Sequence, residues 1–219
     1  MIKNDYHHGN LKDDFLKIAF DFIAKEDVEK LTLKILSDAT GTSRSAIYRH
    51  FSSKEELIET MIQKGFDDFD NFVSPSLKDK EKSLIDRFYL SAKAYLEFAK
   101  QNPNLYRLLF GNKYAKIRES SINIKDDDCS GFASLKLAIE EGQKNGVLKK
   151  EDSFMRTILI WSSLHGLSSL VIDGFMDIDK MSDELCESMF ADMLNNLVTN
   201  KVKFLSNMPF GDGILKPNR

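Results

Sequence analysis

Cysteine is scarce in this chain. Cys129 and Cys186 stand far apart with no C-x-x-C spacing, which leaves no disulfide framework or thiolate zinc site to build on. Both thiols are expected to be buried or idle. Histidine is sparse too, with four residues in all. His7 and His8 are adjacent, but a metal site needs three or four ligands and no third His or Cys lies near them. The chain has no nucleotide-binding glycine loop, no G-x-S-x-G and no H-E-x-x-H. Without a catalytic constellation, neither an enzyme nor a cofactor or metal is expected. The most apolar run, residues 157–171, is interrupted by four serines and His165, and it falls short of the roughly 20 residues that span a bilayer. The start, MIKNDYHHGN, is polar and lacks the apolar core of a signal sequence. These absences predict a cytoplasmic protein with no membrane partner.

What is present is a soluble globular composition, 42% hydrophobic and 30% charged in 219 residues. That length accommodates one small domain and one larger one. The most informative stretch is residues 32–54, TLKILSDATGTSRSAIYRHFSSK. Thr32 can N-cap a helix carrying Leu33 and Leu36 on one face, Ser37 is small enough for a close helix crossing, and Gly41 supplies the positive φ that ends the helix. Thr42 or Ser43 can cap a second helix, in which Ile47 and Phe51 lie four apart and face inward. Steps of about 100° from Ile47 put Ser45 and Arg49 on the opposite face, with Ala46 and Tyr48 on its flanks. This is a helix-turn-helix with a face free to enter a groove. Arg44 lies in the first turn, where a guanidinium can bond guanine O6 and N7 together.

Ser52 with Glu55 and Ser53 with Glu56 form two overlapping capping boxes. A new helix therefore starts at Lys54, and its amides together with that lysine suit a phosphate. Residues 32–54 carry Lys34, Arg44, Arg49 and Lys54 against Asp38 alone, a net +3 in a chain of net −3. The positive charge is local.

At these residues the chain resembles the DNA-binding segment of the TetR/AcrR family of bacterial transcriptional regulators. The resemblance runs from YHHGNLKDDFLKIAFDFIAKE through LTLKILSDATGTSRSAIYRHFSSKEEL. It implies base contacts from Arg44, Ser45 and Ala46, and phosphate contacts from Thr32, Tyr48, His50 and Lys54. Thr40 and Thr42 stand where the family more often has Ala and Val, so each hydroxyl needs a local backbone partner if buried. Further along, Trp161-Ser-Ser-Leu-His165-Gly166 resembles the W-x-x-x-H-G signature of one TetR C-terminal subgroup.

Around that core, Lys3, Tyr6, His7 and His8 form a polar arm that either touches the DNA backbone or is a loose tail. Asn10 can cap a first helix with the stripe Leu11, Phe15, Ile18, Ala19 and Phe22. The helix from Lys54 carries Leu57, Ile58, Met61 and Ile62 toward Phe72, and VSPSLKDKEK, residues 73–82, reads as a domain boundary. Leu84, Phe88, Ala92, Tyr95 and Ala99 make the next stripe, with Ile85, Tyr89 and Leu96 beside it. Asn102-Pro103 breaks that helix and opens a short one ending at Gly111. Residues 112–130, with the acidic run Asp126 to Asp128, read as a loop or frayed helix and lack the pattern of a calcium loop. A helix over residues 132–144 follows. Two long segments, 153–174 and 182–205, carry Phe154, Ile158, Trp161, Leu164, His165, Leu167 and Ser168, then Leu185, Met189, Met193, Asn196 and Val202. The tail, residues 208–219, reads as loosely ordered.

The expected architecture is all-α: an N-terminal three-helix helix-turn-helix domain with its connecting helix in residues 1–72, and a helical ligand-binding and dimerisation domain in 73–207. Two long C-terminal helices related by a two-fold axis would form a four-helix interface. A homodimer sets two short recognition helices on one face of double-stranded DNA, so the operator should be palindromic. The resemblance further implies a small-molecule effector of unknown identity in an aromatic-lined cavity, with candidates Phe88, Tyr95, Phe98, Tyr106, Leu109, Trp161 and His165. Such an effector must favour one head spacing, commonly by about 1 to 3 kcal/mol. The function expected is a DNA-binding regulator, by the family's common sign a repressor. Its rivals are an enzyme with an accessory DNA-binding domain, and a helix-turn-helix protein acting through protein contacts.

Overall fold

The computed structural model describes residues 11–121, 131–196 and 198. Lys3, Tyr6, His7, His8, Asn10, the run Asp126 to Asp128, Cys129, Val202 and the tail lie outside the described residues. Among the described residues the regular elements are all helical, as the 3.6-residue stripes predict.

The first helix, α1 (Leu11–Ile23), buries Phe15, Leu16, Ala19 and Ile23. Next, α2 (Leu33–Ala39) is capped by Thr32, whose Oγ1 accepts the Ile35 amide at 3.2 Å, and its Ser37 is buried. The turn after it places Gly41 at φ 65°, where a side chain would be strained. Of the two candidate caps for α3 (Arg44–Tyr48), the chain uses Ser43, which accepts the Ala46 amide at 3.2 Å. Thr42 instead lies 2.8 Å from the Thr40 hydroxyl, and the buried Thr40 donates to the Leu36 carbonyl at 2.9 Å. That local acceptor is what a buried hydroxyl requires. α3 stops short of Phe51, but the Phe51 amide still bonds the Ile47 carbonyl at 2.9 Å, so Ile47 and Phe51 are both fully buried.

The fourth helix, α4 (Lys54–Lys78), runs through Pro75, so most of the expected break in residues 73–82 is helical. Proline costs a helix one hydrogen bond and a clash, yet here Phe69, Val73 and Leu77 continue a buried stripe at four-residue spacing. Two side chains of α5 (Leu84–Gln101) reinforce that end: Ser91 donates to the Val73 carbonyl at 3.0 Å, and Arg87 Nε to the Leu77 carbonyl at 2.8 Å. Tertiary packing overrides the local signal.

Asn102-Pro103 separates α5 from α6 (Pro103–Phe110), as the sequence predicts. The segment expected to be irregular continues as a 3₁₀ turn, Asn112–Tyr114, and α7 (Ala115–Ser121). Arg118 explains the order: its Nη1 donates to the Leu109 and Gly111 carbonyls at 2.8 and 2.9 Å, closing the end of α6. The remaining helices are α8 (Gly131–Lys144), α9 (Ser153–Ile172) and α10 (Asp183–Asn195). Leu148 and Val198 form an isolated antiparallel bridge.

The chain divides into two compact units. The first holds the described residues up to Asp67 together with 102–121; the second holds 68–101 and those from 131 onward. Within the first, α1 packs on α2 and α6, and α2 on α3. Within the second, α9 packs on α5 and α8.

α9 is 20 residues long with a mean hydropathy of 1.2 in its most apolar window, enough by length and composition to cross a membrane. The interrupted run at 157–171 therefore understates the helix that contains it. One face of α9 buries Thr157, Ile160, Leu164, Leu167 and Ser168, while Met155, Leu159 and Leu170 are 45–53% exposed on the other. On α10 the buried stripe is Cys186, Phe190 and Leu194, and the stripe read from the sequence lies beside it, with Leu185 exposed and Met189 and Met193 half-buried. The two stripes are offset by one residue and both contain apolar side chains, so spacing alone does not choose between them.

Candidate functional site

The first unit presents a polar, mostly basic surface built on two buried anchors. Ile47 and Phe51 fix α3 from beneath, which leaves Arg44, Ser45 and Arg49 exposed together. Tyr48 projects beside them at 56% exposure, large for an aromatic ring. Ser45 shares a 2.8 Å hydrogen bond with the cap residue Ser43. Ala46 departs from its expected place on the flank of this face. It is buried beside Ile47 at 5% exposure, because a five-residue helix lying flat on its neighbours covers two adjacent positions rather than one stripe.

The groups expected to hold phosphates differ in exposure. Thr32 is exposed, with its hydroxyl oxygen already accepting the Ile35 amide. His50 is half-buried, its ring edge-on to Phe15 with centroids 5.9 Å apart. Ser53 caps α4 through the Glu56 amide at 3.2 Å, while Glu56 reaches back to the amide and hydroxyl of Ser52 at 2.7 and 2.6 Å. The two boxes read from the sequence thus merge into one that uses Ser52, Ser53 and Glu56. The Ser52 hydroxyl, then its amide, hold the Glu56 carboxyl below its ordinary value. Lys54 is half-buried and donates to the Glu29 carbonyl at 2.7 Å. Glu29 belongs to the 3₁₀ turn Val28–Lys30, capped by Asp27. Nothing in the local pattern around Lys54 points to a partner 25 positions earlier.

The residues expected to line an effector cavity fall into two groups. Phe88, Tyr95 and Phe98 are buried on α5, and Trp161 and His165 are half-buried on α9, all in the second unit. Trp161 Nε1 donates to the Tyr95 hydroxyl at 3.1 Å. Three rings not foreseen as candidates join them edge-on: Phe69 against Tyr95 and Phe98 at 5.0 and 5.1 Å, Phe72 against Phe98 at 5.7 Å, and Phe132 against Trp161 at 5.9 Å. The spacing of Phe69, Val73 and Leu77 was a legible signal, masked by the reading of Pro75 as a break. Tyr106 and Leu109 are buried in the first unit instead. Leu109 packs on Gly65, where an added Cβ would come within 2.9 Å of it, and Tyr106 stacks on Phe110 at 4.7 Å.

Two family models match the chain. The model for bacterial regulatory proteins of the tetR family matches residues 15–61, and that for the tetracyclin repressor-like C-terminal domain matches residues 89–193. The nucleoid occlusion factor SlmA of Aliivibrio fischeri is 32% identical over 104 residues, 47% of this chain and 53% of that protein. The chain thus spans about half the length of the curated relatives it matches. Among solved structures, a Rhodococcus protein of unknown function superposes with a TM-score of 0.73 at 22% identity, covering 90% of this chain and all of that one. A putative TetR family transcriptional regulator from Vibrio parahaemolyticus gives a TM-score of 0.65 at 20% identity, covering 86% and 98%. At these identities the superpositions speak for the fold.

Proposed function

The chain belongs to the TetR family of bacterial regulatory proteins, and we propose that it is a homodimeric DNA-binding transcriptional regulator, a repressor released from a palindromic operator by a small molecule. The observation that carries this reading is the exposed set Arg44, Ser45 and Arg49 on a short helix anchored by Ile47 and Phe51, with Thr32 and Tyr48 exposed and His50 and Lys54 half-buried. Arg44 reads bases through its guanidinium fork. Thr32, Tyr48, His50 and Lys54 hold phosphates, supplying affinity without sequence information. Ala46, being buried, contributes at most its backbone.

A five-residue helix reads only a few base pairs, so useful specificity requires two copies. The outward face of α9, with Met155, Leu159 and Leu170 exposed around Ser162, Ser163 and Gly166, supports self-association through α9 and α10. The aromatic group around Tyr95 and Trp161 supports a largely apolar effector carrying one polar group. To act, that effector must bind one head spacing more tightly than the other.

The test is selection of bound duplexes from a random DNA pool by the purified protein. An enriched palindrome is expected. Absence of enrichment at moderate salt would shift the weight to a second reading, a helix-turn-helix protein acting through protein contacts. The name nucleoid occlusion factor, borne by relatives at about 30% identity, supports keeping that reading in view.

A further inference from the structure

Lys54 does not stand alone at the start of α4. Its ammonium is tied to the backbone carbonyl of Glu29, and the carboxylate of the same Glu29 pairs with Lys113 on the 3₁₀ turn after α6. Next to Lys113, Tyr114 has its hydroxyl pushed up by burial and by the carboxylates of Asp27 and Glu55. All of these residues belong to the first compact unit.

The arrangement contains an electrostatic conflict. Holding Lys54 through the Glu29 carbonyl also brings an acidic side chain to the place where a phosphate must approach. One residue's length separates that carbonyl from its own carboxylate, so the acid lies within the ~8 Å screening length of physiological salt. An uncompensated carboxylate there would both repel the phosphate and draw off the charge of Lys54. Lys113 supplies the compensation.

We infer that Lys113 is a positioning residue for DNA binding: by neutralising the Glu29 carboxylate it leaves the Lys54 ammonium, oriented by the Glu29 carbonyl, free to bind a phosphate. The inference rests on the DNA-binding reading above and adds to it a residue from outside the helix-turn-helix. Because phosphate binding is independent of sequence, no operator is needed to test it.

The experiment measures the affinity of the full-length protein for a 30-base-pair random-sequence duplex, as a function of salt, by fluorescence anisotropy. The variants are Lys113→Gln, Glu29→Gln, the double variant, and Lys113→Arg, each with its melting temperature recorded. Lys113→Gln should weaken binding by about twofold to fivefold per reading head, within the range of an exposed ion pair. Glu29→Gln should bind more tightly than the unaltered protein, the double variant should return to it, and Lys113→Arg should match it. A merely structural ion pair would not produce a gain on removing Glu29. If the double variant stays as weak as Lys113→Gln, Lys113 touches phosphate itself and the positioning role is overturned. Unchanged binding in Lys113→Gln overturns it too. If the unaltered protein binds no duplex at low salt, the DNA-binding reading falls first and the inference with it.

Discussion

Arg87 and Glu141 meet in a two-point ion pair, Nη1 to Oε1 at 2.9 Å and Nη2 to Oε2 at 3.0 Å. Arg87 is buried, and it also donates to the Leu77 carbonyl at the end of α4. Lys80 joins the same carboxylate. One guanidinium thus ties α4, α5 and α8 together within the second unit.

Removing Arg87 leaves Glu141 partly exposed and still paired with Lys80, but takes the side-chain donor from the buried Leu77 carbonyl. Arg87→Met is expected to destabilise the protein by about 1 to 3 kcal/mol in urea unfolding. A loss below about 1 kcal/mol would mean that solvent screens the pair. The side chain hydrogen bonds of Arg87, then Lys80, lower the Glu141 carboxyl from 4.5 to about 2. The unfolded chain therefore binds more protons between those values. The pair's stabilisation is complete above pH ~5 and is lost as pH falls toward 2. Glu141→Gln should flatten the acid limb of the stability curve.

Arg44→Ala is expected to relax preference at one position of each half-site, costing about 1 to 3 kcal/mol there. Competition between the selected palindrome and its single-base variants measures it. An equal loss on all sequences would assign Arg44 to phosphate instead of a base.

Lys54→Ala should weaken binding to every duplex and reduce the slope of log affinity against log salt by about one per head. A changed base preference with an unchanged slope would contradict the phosphate role.

Gly41→Ala forces a side chain into φ 65° with no steric neighbour within 4 Å, so any penalty is backbone strain alone. A loss of about 1 kcal/mol in thermal unfolding is expected. A neutral substitution would show that the turn relaxes.

Leu159→Glu puts a charge on the exposed face of α9, where Leu159 is 51% exposed. The helix itself should survive, and sedimentation should show a shift from dimer toward monomer. A dimer of unchanged strength would place the self-association surface elsewhere.

The contrast between α3 and α4 shows how much of the chain was legible beforehand. The turn around Gly41, the caps at Thr32 and Ser53 and the break at Asn102-Pro103 appear where the sequence puts them. Each is satisfied by partners within five residues. The end of α4 departs from the sequence expectation because Pro75 is a strong local signal and its compensation comes from α5. The sequence groups Tyr106 and Leu109 with the second unit's aromatics because residue type marks a side chain as apolar and says nothing of which core it joins.

What the sequence determined by itself is local and directional: where helices start and stop, and that Ile47 and Phe51 turn inward so that Arg44 and Arg49 turn outward. Caps, positive-φ glycines and 3.6-residue spacing act over a single turn, so they are written in consecutive residues. Only the tertiary structure decided that Glu29 holds Lys54, that Arg87 finds Glu141, and which of two adjacent apolar stripes on α10 is buried. Those choices are made between groups 25 and 54 positions apart, or between stripes of similar hydrophobicity. There, geometry and the cost of burying an unpaired charge select the partner.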